Sequence, residues 1–134
     1  MNEFEDKLIP SNPGSFIPGD VETVLRPSYT SPFYRNQLLA ESMVRFKMID
    51  TETTGIRRVF NIQRERFFPL PDYDLTQKGK VEVALYGREF DEKYTYLLHD
   101  NDNLDLVTVY LLDQVQKGNK IPKEADARFK KNQK

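Results

Sequence analysis

Residues 10–32 carry prolines at 10, 13, 18, 27 and 32, with glycines at 14 and 19. Proline holds φ at about −65° and offers no N–H, so neither a long helix nor a central strand is expected there. The stretch reads as a long structured loop, a kind that is uncommon inside compact domains unless it acts as a lid or binding segment. Before it, Lys7-Leu8-Ile9 reads as the end of a strand with no hairpin partner upstream, as though the chain began in the middle of a fold.

Beyond Pro32 the periodicity becomes helical. Asn36 is placed to cap a helix over 36–48, in which Leu39 and Met43, and Ala40 and Val44, recur four apart. After the break Asp50-Thr51-Glu52-Thr53-Thr54-Gly55, residues Ile56, Val59, Phe60, Gln63 and Phe67 trace one face of a second helix, whose other face is basic. Pro69-Leu70-Pro71-Asp72 ends it. Val81, Val83 and Leu85 alternate with Glu82 and Ala84 in a strand over 81–86 that Gly87 closes. Asp91 can cap a helix over 92–99, and Asp105 another, in which Val107, Leu111 and Val115 repeat before Gly118 stops it. Pro122 suits the first turn of a shorter helix over 122–131, Lys-rich towards its end. The expected class is α+β: a small incomplete sheet including Leu8–Ile9 and Val81–Tyr86, packed by helices 36–48 and 56–67, with a helical C-terminal part.

Composition removes several function classes. With no cysteine and one histidine, His99, the 134 residues hold no disulfide, thiol nucleophile or multi-histidine metal site. Twenty Lys+Arg against 21 Asp+Glu give a formal charge of −1, so any nucleic-acid contact must come from a local basic face. No apolar run is long enough to span a membrane, and the acidic start Met1-Asn2-Glu3-Phe4-Glu5-Asp6 is unlike a signal peptide, which makes the cytoplasm the expected location. Nine Phe and seven Tyr are too many for a disordered chain.

Four constellations merit weighing. Asn12-Pro13-Gly14 followed by Pro18-Gly19 offers backbone N–H groups as phosphate loops do, but it fits neither G-x-x-x-x-G-K-[ST] nor G-x-G-x-x-G, and a chain-reversing turn is the simpler reading. Thr53-Thr54-Gly55 ahead of Arg57 and Arg58 places free N–H groups at the positive end of a helix dipole, where an anion could sit. Capping by Thr53 or Thr54, with Gly55 allowing close packing, is the competing reading. Arg57, Arg58, Arg64 and Arg66 form the densest basic cluster, suited to phosphates or to a solvated face. Asp100, Asp102 and Asp105 lack the central glycine and terminal glutamate of a calcium loop, and His99 suits a helix C-terminus better than catalysis.

The order Ser11-Asn12-Pro13-Gly14, Tyr34-Arg35-Asn36-Gln37, Met48-Ile49-Asp50, Thr54-Gly55-Ile56-Arg57-Arg58 and Phe68-Pro69-Leu70-Pro71-Asp72-Tyr73 resembles the C-terminal part of bacterial transcriptional regulators related to the ATP-dependent DNA helicase RecG, over about residues 5 to 125. The resemblance implies a divergent module similar to the histidine-kinase and gyrase ATPases. It implies that Asn12 and Gly14 sit at one nucleotide-facing glycine box and Thr54 and Gly55 at a second, where Thr53 replaces a family glycine. The family helix that would supply a magnesium-binding asparagine and a catalytic acid has no counterpart, so this chain alone is not expected to hydrolyse ATP; ATP and Mg²⁺ would belong to the parent.

Two units are expected, 1–88 as the C-terminal portion of the ATPase-like module and 89–134 as a partial winged helix, the whole reading as an excised domain or a truncated gene product. The expected function is a non-catalytic regulatory or DNA-associated module, with no catalytic residue and with Arg57, Arg58, Arg64, Lys117 and Lys120 contacting nucleic acid. The alternatives are an ATP- or ADP-binding half-site at Asn12, Gly14, Thr54 and Gly55, or a structural dimerisation module. The partners this implies are DNA, the missing domains of the parent and a second copy of the chain, with no membrane.

Overall fold

A computed structural model describes residues 1–31, 33–49, 55–89 and 91–119. The elements run β1 (Asn2–Glu3), β2 (Lys7–Ile9), β3 (Ser11–Pro13), α1 (Val21–Leu25), α2 (Gln37–Arg45), α3 (Gly55–Glu65), β4 (Asp72–Asp74), β5 (Lys80–Tyr86), α4 (Glu92–Asp100) and α5 (Leu106–Gln116). The fold is α+β, as expected, with a small antiparallel sheet of five strands among the described residues. The helix expected over 122–131 lies outside the described residues.

β5 organises the sheet, because strands pair along both of its edges. On one edge Asp72, Tyr73 and Asp74 of β4 oppose Ala84, Val83 and Glu82. On the other, Lys7 and Leu8 of β2 oppose Tyr86 and Leu85, and Ser11, Asn12 and Pro13 of β3 oppose Glu82, Val81 and Lys80. The register is unbroken across Pro10, whose carbonyl accepts from the Val83 N–H at 3.0 Å. β2 and β3 are therefore one extended run, split only because proline has no N–H to return to β5.

Two expectations for the N-terminal segment are corrected. Lys7–Ile9 does have an upstream partner: β1 pairs with it, Asn2 opposite Ile9 and Glu3 opposite Leu8, through a turn closed by Phe4 N–H to the Lys7 carbonyl at 2.8 Å. The segment 10–32 is not all loop, since it holds β3 and the short helix α1. Proline excludes a long helix, and five residues fit between Pro18 and Pro27. Asp20 caps α1 by accepting from the Thr23 N–H at 2.7 Å, and Val21, Val24 and Leu25 are buried.

The later helices follow their sequence signals, with shifted ends. Asn36 caps α2 by accepting from the Leu39 N–H at 3.0 Å, and Asp91 caps α4 through the Lys93 N–H at 2.9 Å. Asp105 occupies the N-cap position of α5 but takes the Thr108 hydroxyl instead of a backbone N–H. α2 stops at Arg45 because Lys47 turns left-handed (φ 56°), and α3 stops at Glu65 because Phe67 does the same, ahead of Pro69. Gly118 (φ 74°) closes α5 in the same conformation, at no steric cost to glycine.

The buried apolar cluster joins Val21 and Leu25 of α1, Phe60 of α3, Leu70, Tyr94 and Leu98 of α4 and Val109 of α5. Phe60 stacks on Tyr73 (centroids 6.2 Å apart) and meets the Tyr110 ring edge-on at 6.0 Å, so sheet and helices share this cluster.

Candidate functional site

α3 carries the basic cluster. Its core face buries Phe60 and Gln63, and the Gln63 amide donates to the Tyr86 carbonyl at 2.8 Å, tying the helix to the end of β5. The arginines have different employment. Arg57 donates to the carbonyls of Pro27 (3.0 Å) and Arg26 (3.3 Å), closing off the end of α1. Arg64 donates to the carbonyls of Leu104 (2.8 Å) and Asp102 (2.9 Å), holding the link between α4 and α5. Arg58 and Arg66 are exposed.

Arg57 and Arg58 come together along an open groove of about 720 Å³, whose walls include Leu25 and Pro27 on one side, Asn61, Ile62 and Glu65 along α3, and Leu106 at the start of α5. A smaller recess of about 300 Å³ lies on the other flank of α3, lined by Arg64, Phe67, Leu98 and Asp102 and sharing Asn61 and Glu65. One helix thus presents three of the expected nucleic-acid residues, with Glu65 as an acidic neighbour.

Lys117 is elsewhere, at the end of α5, and faces inward. Its ammonium donates to the Leu70 carbonyl at 2.7 Å and lies 2.6 Å from Asp113 and 3.0 Å from Asp72. It also sits 5.0 Å from the centre of the Tyr86 ring. Asp113, one helical turn earlier, is 0% exposed and accepts from the Leu70 N–H at 2.9 Å. Both backbone groups of Leu70, set between Pro69 and Pro71, are therefore satisfied by two side chains from the C-terminal end of α5. Burial pushes the Asp113 carboxyl above its ordinary value, outweighing the opposing pull of Lys117 and the Leu70 N–H. Tyr86 donates to Asp72 at 2.6 Å, and burial, then this carboxylate, raises its hydroxyl pKa well above the ordinary tyrosine value. Sequence reasoning missed this clamp. Its signal was an aspartate on the apolar helix Leu106–Gln116, four residues before a lysine.

The residues expected at the two glycine boxes are placed as follows. Asn12 is exposed in β3, opposite Val81. Gly14 (φ 115°) donates its N–H to the Gly79 carbonyl at 2.7 Å, and a β-carbon there would overlap the guanidinium of Arg35. That guanidinium also donates to the Ser15 carbonyl. Gly55 opens α3, and a β-carbon there would meet nothing within 4 Å among the described residues beyond its own chain neighbours and helix backbone. Thr54 and Lys120, with the proposed Thr53 or Thr54 cap, lie outside the described residues. Neither groove beside α3 is lined by Asn12, Gly14 or Gly55, and the space over Gly14 is filled by Arg35. Among the described residues no group of three or more His, Asp or Glu side chains converges as a metal site.

Residues 2–85 match the family described as "Putative ATP-dependent DNA helicase recG C-terminal". No curated protein and no solved structure matches the chain.

Proposed function

This chain belongs to the family of the RecG C-terminal region, an ATPase-like module, and from that premise we propose that it serves as a non-catalytic, DNA-associated module of a RecG-related transcriptional regulator. The observation that carries the reading is the α3 groove, where exposed Arg58 stands beside Arg57 above Asn61. Guanidinium groups along an open groove suit the phosphates of a duplex backbone, which reward positive charge without demanding base contacts. Arg57 and Arg64 hold backbone carbonyls with part of their donors, so Arg58 is the principal contact and Arg57 its neighbour. Lys117 contributes through packing at the end of α5 rather than through phosphate.

In this reading nucleotide chemistry, with ATP and Mg²⁺, belongs to the parent, because the chain has no counterpart of the family helix expected to supply the magnesium-binding asparagine and the catalytic acid. The histidine-kinase and gyrase likeness, a winged helix opening with α5, and a cytoplasmic location belong to the same proposal. No helix among the described residues is long and apolar enough to cross a membrane.

The test is titration of the chain with duplex DNA across a salt series. Binding is expected to weaken linearly on logarithmic axes as salt rises, and Arg58→Ala should reduce the slope by about 1. Absence of binding at low salt, or binding indifferent to salt, would remove the DNA assignment.

A further inference from the structure

α2 turns part of its apolar surface outward, unlike a helix of a closed core. Ala40 is its buried residue, yet Leu38 is 76% exposed, Leu39 55% and the adjoining Phe46 78%. At about 100° per residue, Leu38, Ser42 and Phe46 form a stripe on the side of α2 turned away from Ala40. The chain flanking the helix also exposes Phe33, Tyr34 and Met48, of which Tyr34 lines a groove beside α2. Six of the thirteen exposed large hydrophobic residues among the described ones therefore fall within 33–48, which is concentration rather than scatter.

We propose that α2 is the interface of a two-fold homodimer, in which two copies pair through antiparallel α2 helices. Three features favour a second copy over another occupant. The first is shape. Ser42 is small and central, and its hydroxyl already donates to the Leu38 carbonyl at 2.8 Å, so a partner helix can approach there without orphaning a polar group. Beside the stripe runs a shallow groove of about 340 Å³, lined by Tyr34, Gln37, Glu41, Val44 and Arg45, so knob and hole lie on the same helix. A two-fold interface requires such a self-complementary surface.

The second feature is charge. Glu41 and Arg45 lie one turn apart on one flank of α2, with Gln37 donating to Glu41 at 2.8 Å. Antiparallel pairing about a two-fold close to Ser42 and Met43 brings the same flanks together and sets Glu41 of each copy near Arg45 of the other, twice. In a parallel pair this flank would face the opposite flank of the partner and lose the match. The third is area. With about 200 Å² for a fully exposed large side chain, the six residues present roughly 700 Å², close to the ~800 Å² per partner of a standard stable interface. This assembly is independent of duplex binding, and either proposal can fail alone.

The test is the mass of the chain by sedimentation equilibrium over a concentration series. The expected result is a mass rising with concentration to twice 15.8 kDa. Leu38→Lys combined with Phe46→Lys should weaken association by more than about tenfold while leaving the circular-dichroism spectrum unchanged, since both side chains are exposed. Should that variant fail to fold, charge reversal decides: Glu41→Arg and Arg45→Glu should each weaken the dimer, and the two together should restore it. A mass of 15.8 kDa at every concentration, a dimer indifferent to the lysines, or a double reversal weaker than either single change would overturn the proposal.

Discussion

The guanidinium of Arg35 lies where a β-carbon on Gly14 would have to be, and it donates to the Ser15 carbonyl beside it. This contact joins the Asn-Pro-Gly and Arg-Asn segments in space although a helix and three prolines separate them in the chain. Gly14→Ala should cost about 1–3 kcal/mol, since φ of 115° strains any residue with a β-carbon. Arg35→Ala should cost about 1 kcal/mol for the lost hydrogen bond. The double variant should cost less than the sum, because the methyl group added at position 14 already displaces the arginine. Urea unfolding of the four proteins measures this coupling, and strict additivity would refute it.

Lys117 and Asp113 should respond unequally to substitution. Lys117→Met leaves Asp113, fully buried, without its counter-ion and should cost about 3 kcal/mol. Asp113→Asn keeps an acceptor for the Leu70 N–H and leaves Lys117 its contacts with Asp72 and the Leu70 carbonyl, so about 1 kcal/mol is expected. Combining them should be milder than Lys117→Met alone. Chemical denaturation gives all three values.

Asp113 also sets a pH dependence. Its carboxyl is raised in the folded chain, so above the ordinary aspartate value of 3.8 the folded state holds a proton that the unfolded state has lost. Stability attributable to this group therefore falls as pH rises from that value through the raised one. Asp113→Asn lacks the effect, and the stability difference between wild type and variant should move in the variant's favour across that interval. A flat difference from acid to neutral pH would contradict the direction assigned to Asp113.

Arg57 and Arg58 are neighbours with separable roles. Arg57→Ala removes donors from the Pro27 and Arg26 carbonyls and should lower stability by about 1 kcal/mol. Arg58→Ala should leave the melting temperature within error and weaken duplex binding. Thermal melts beside binding titrations separate the two, and a destabilised Arg58→Ala would show that its side chain is structural.

Lys47 offers a gain. It is exposed and left-handed at the end of α2, the conformation glycine adopts without penalty. Lys47→Gly should raise stability by about 0.5–1 kcal/mol, read as a higher urea midpoint with unchanged slope.

Helices and the long strand were legible because their signals are local. Asn36 and Asp91 announce α2 and α4 by side chains that bond three and two residues ahead, and the alternation of 81–86 marks β5. β1, β3 and β4 are two or three residues long and exist through partners rather than through a pattern of their own. α1 did carry a signal, Asp20 followed by Val21, Val24 and Leu25, which the surrounding prolines masked. At the site, sequence located the arginines of α3 and could not see which carbonyls Arg57 and Arg64 would bond. Lys117 read as a surface cation for the same reason, since Leu70, which it holds, is remote in sequence.

The unbroken run through Pro10 has a consequence for the order in which the protein comes into being. Residues 7–13 leave the ribosome about seventy positions ahead of residues 80–86, which complete the edge they offer. Their β1 hairpin can close at once, but their other edge stays open until β5 emerges. Such distant pairing is slow to find, and an unpaired edge is open to strangers meanwhile. Pro10, by withholding one N–H from that waiting edge, makes it a poorer template for a neighbouring nascent chain while still accepting the bond from Val83 when β5 arrives.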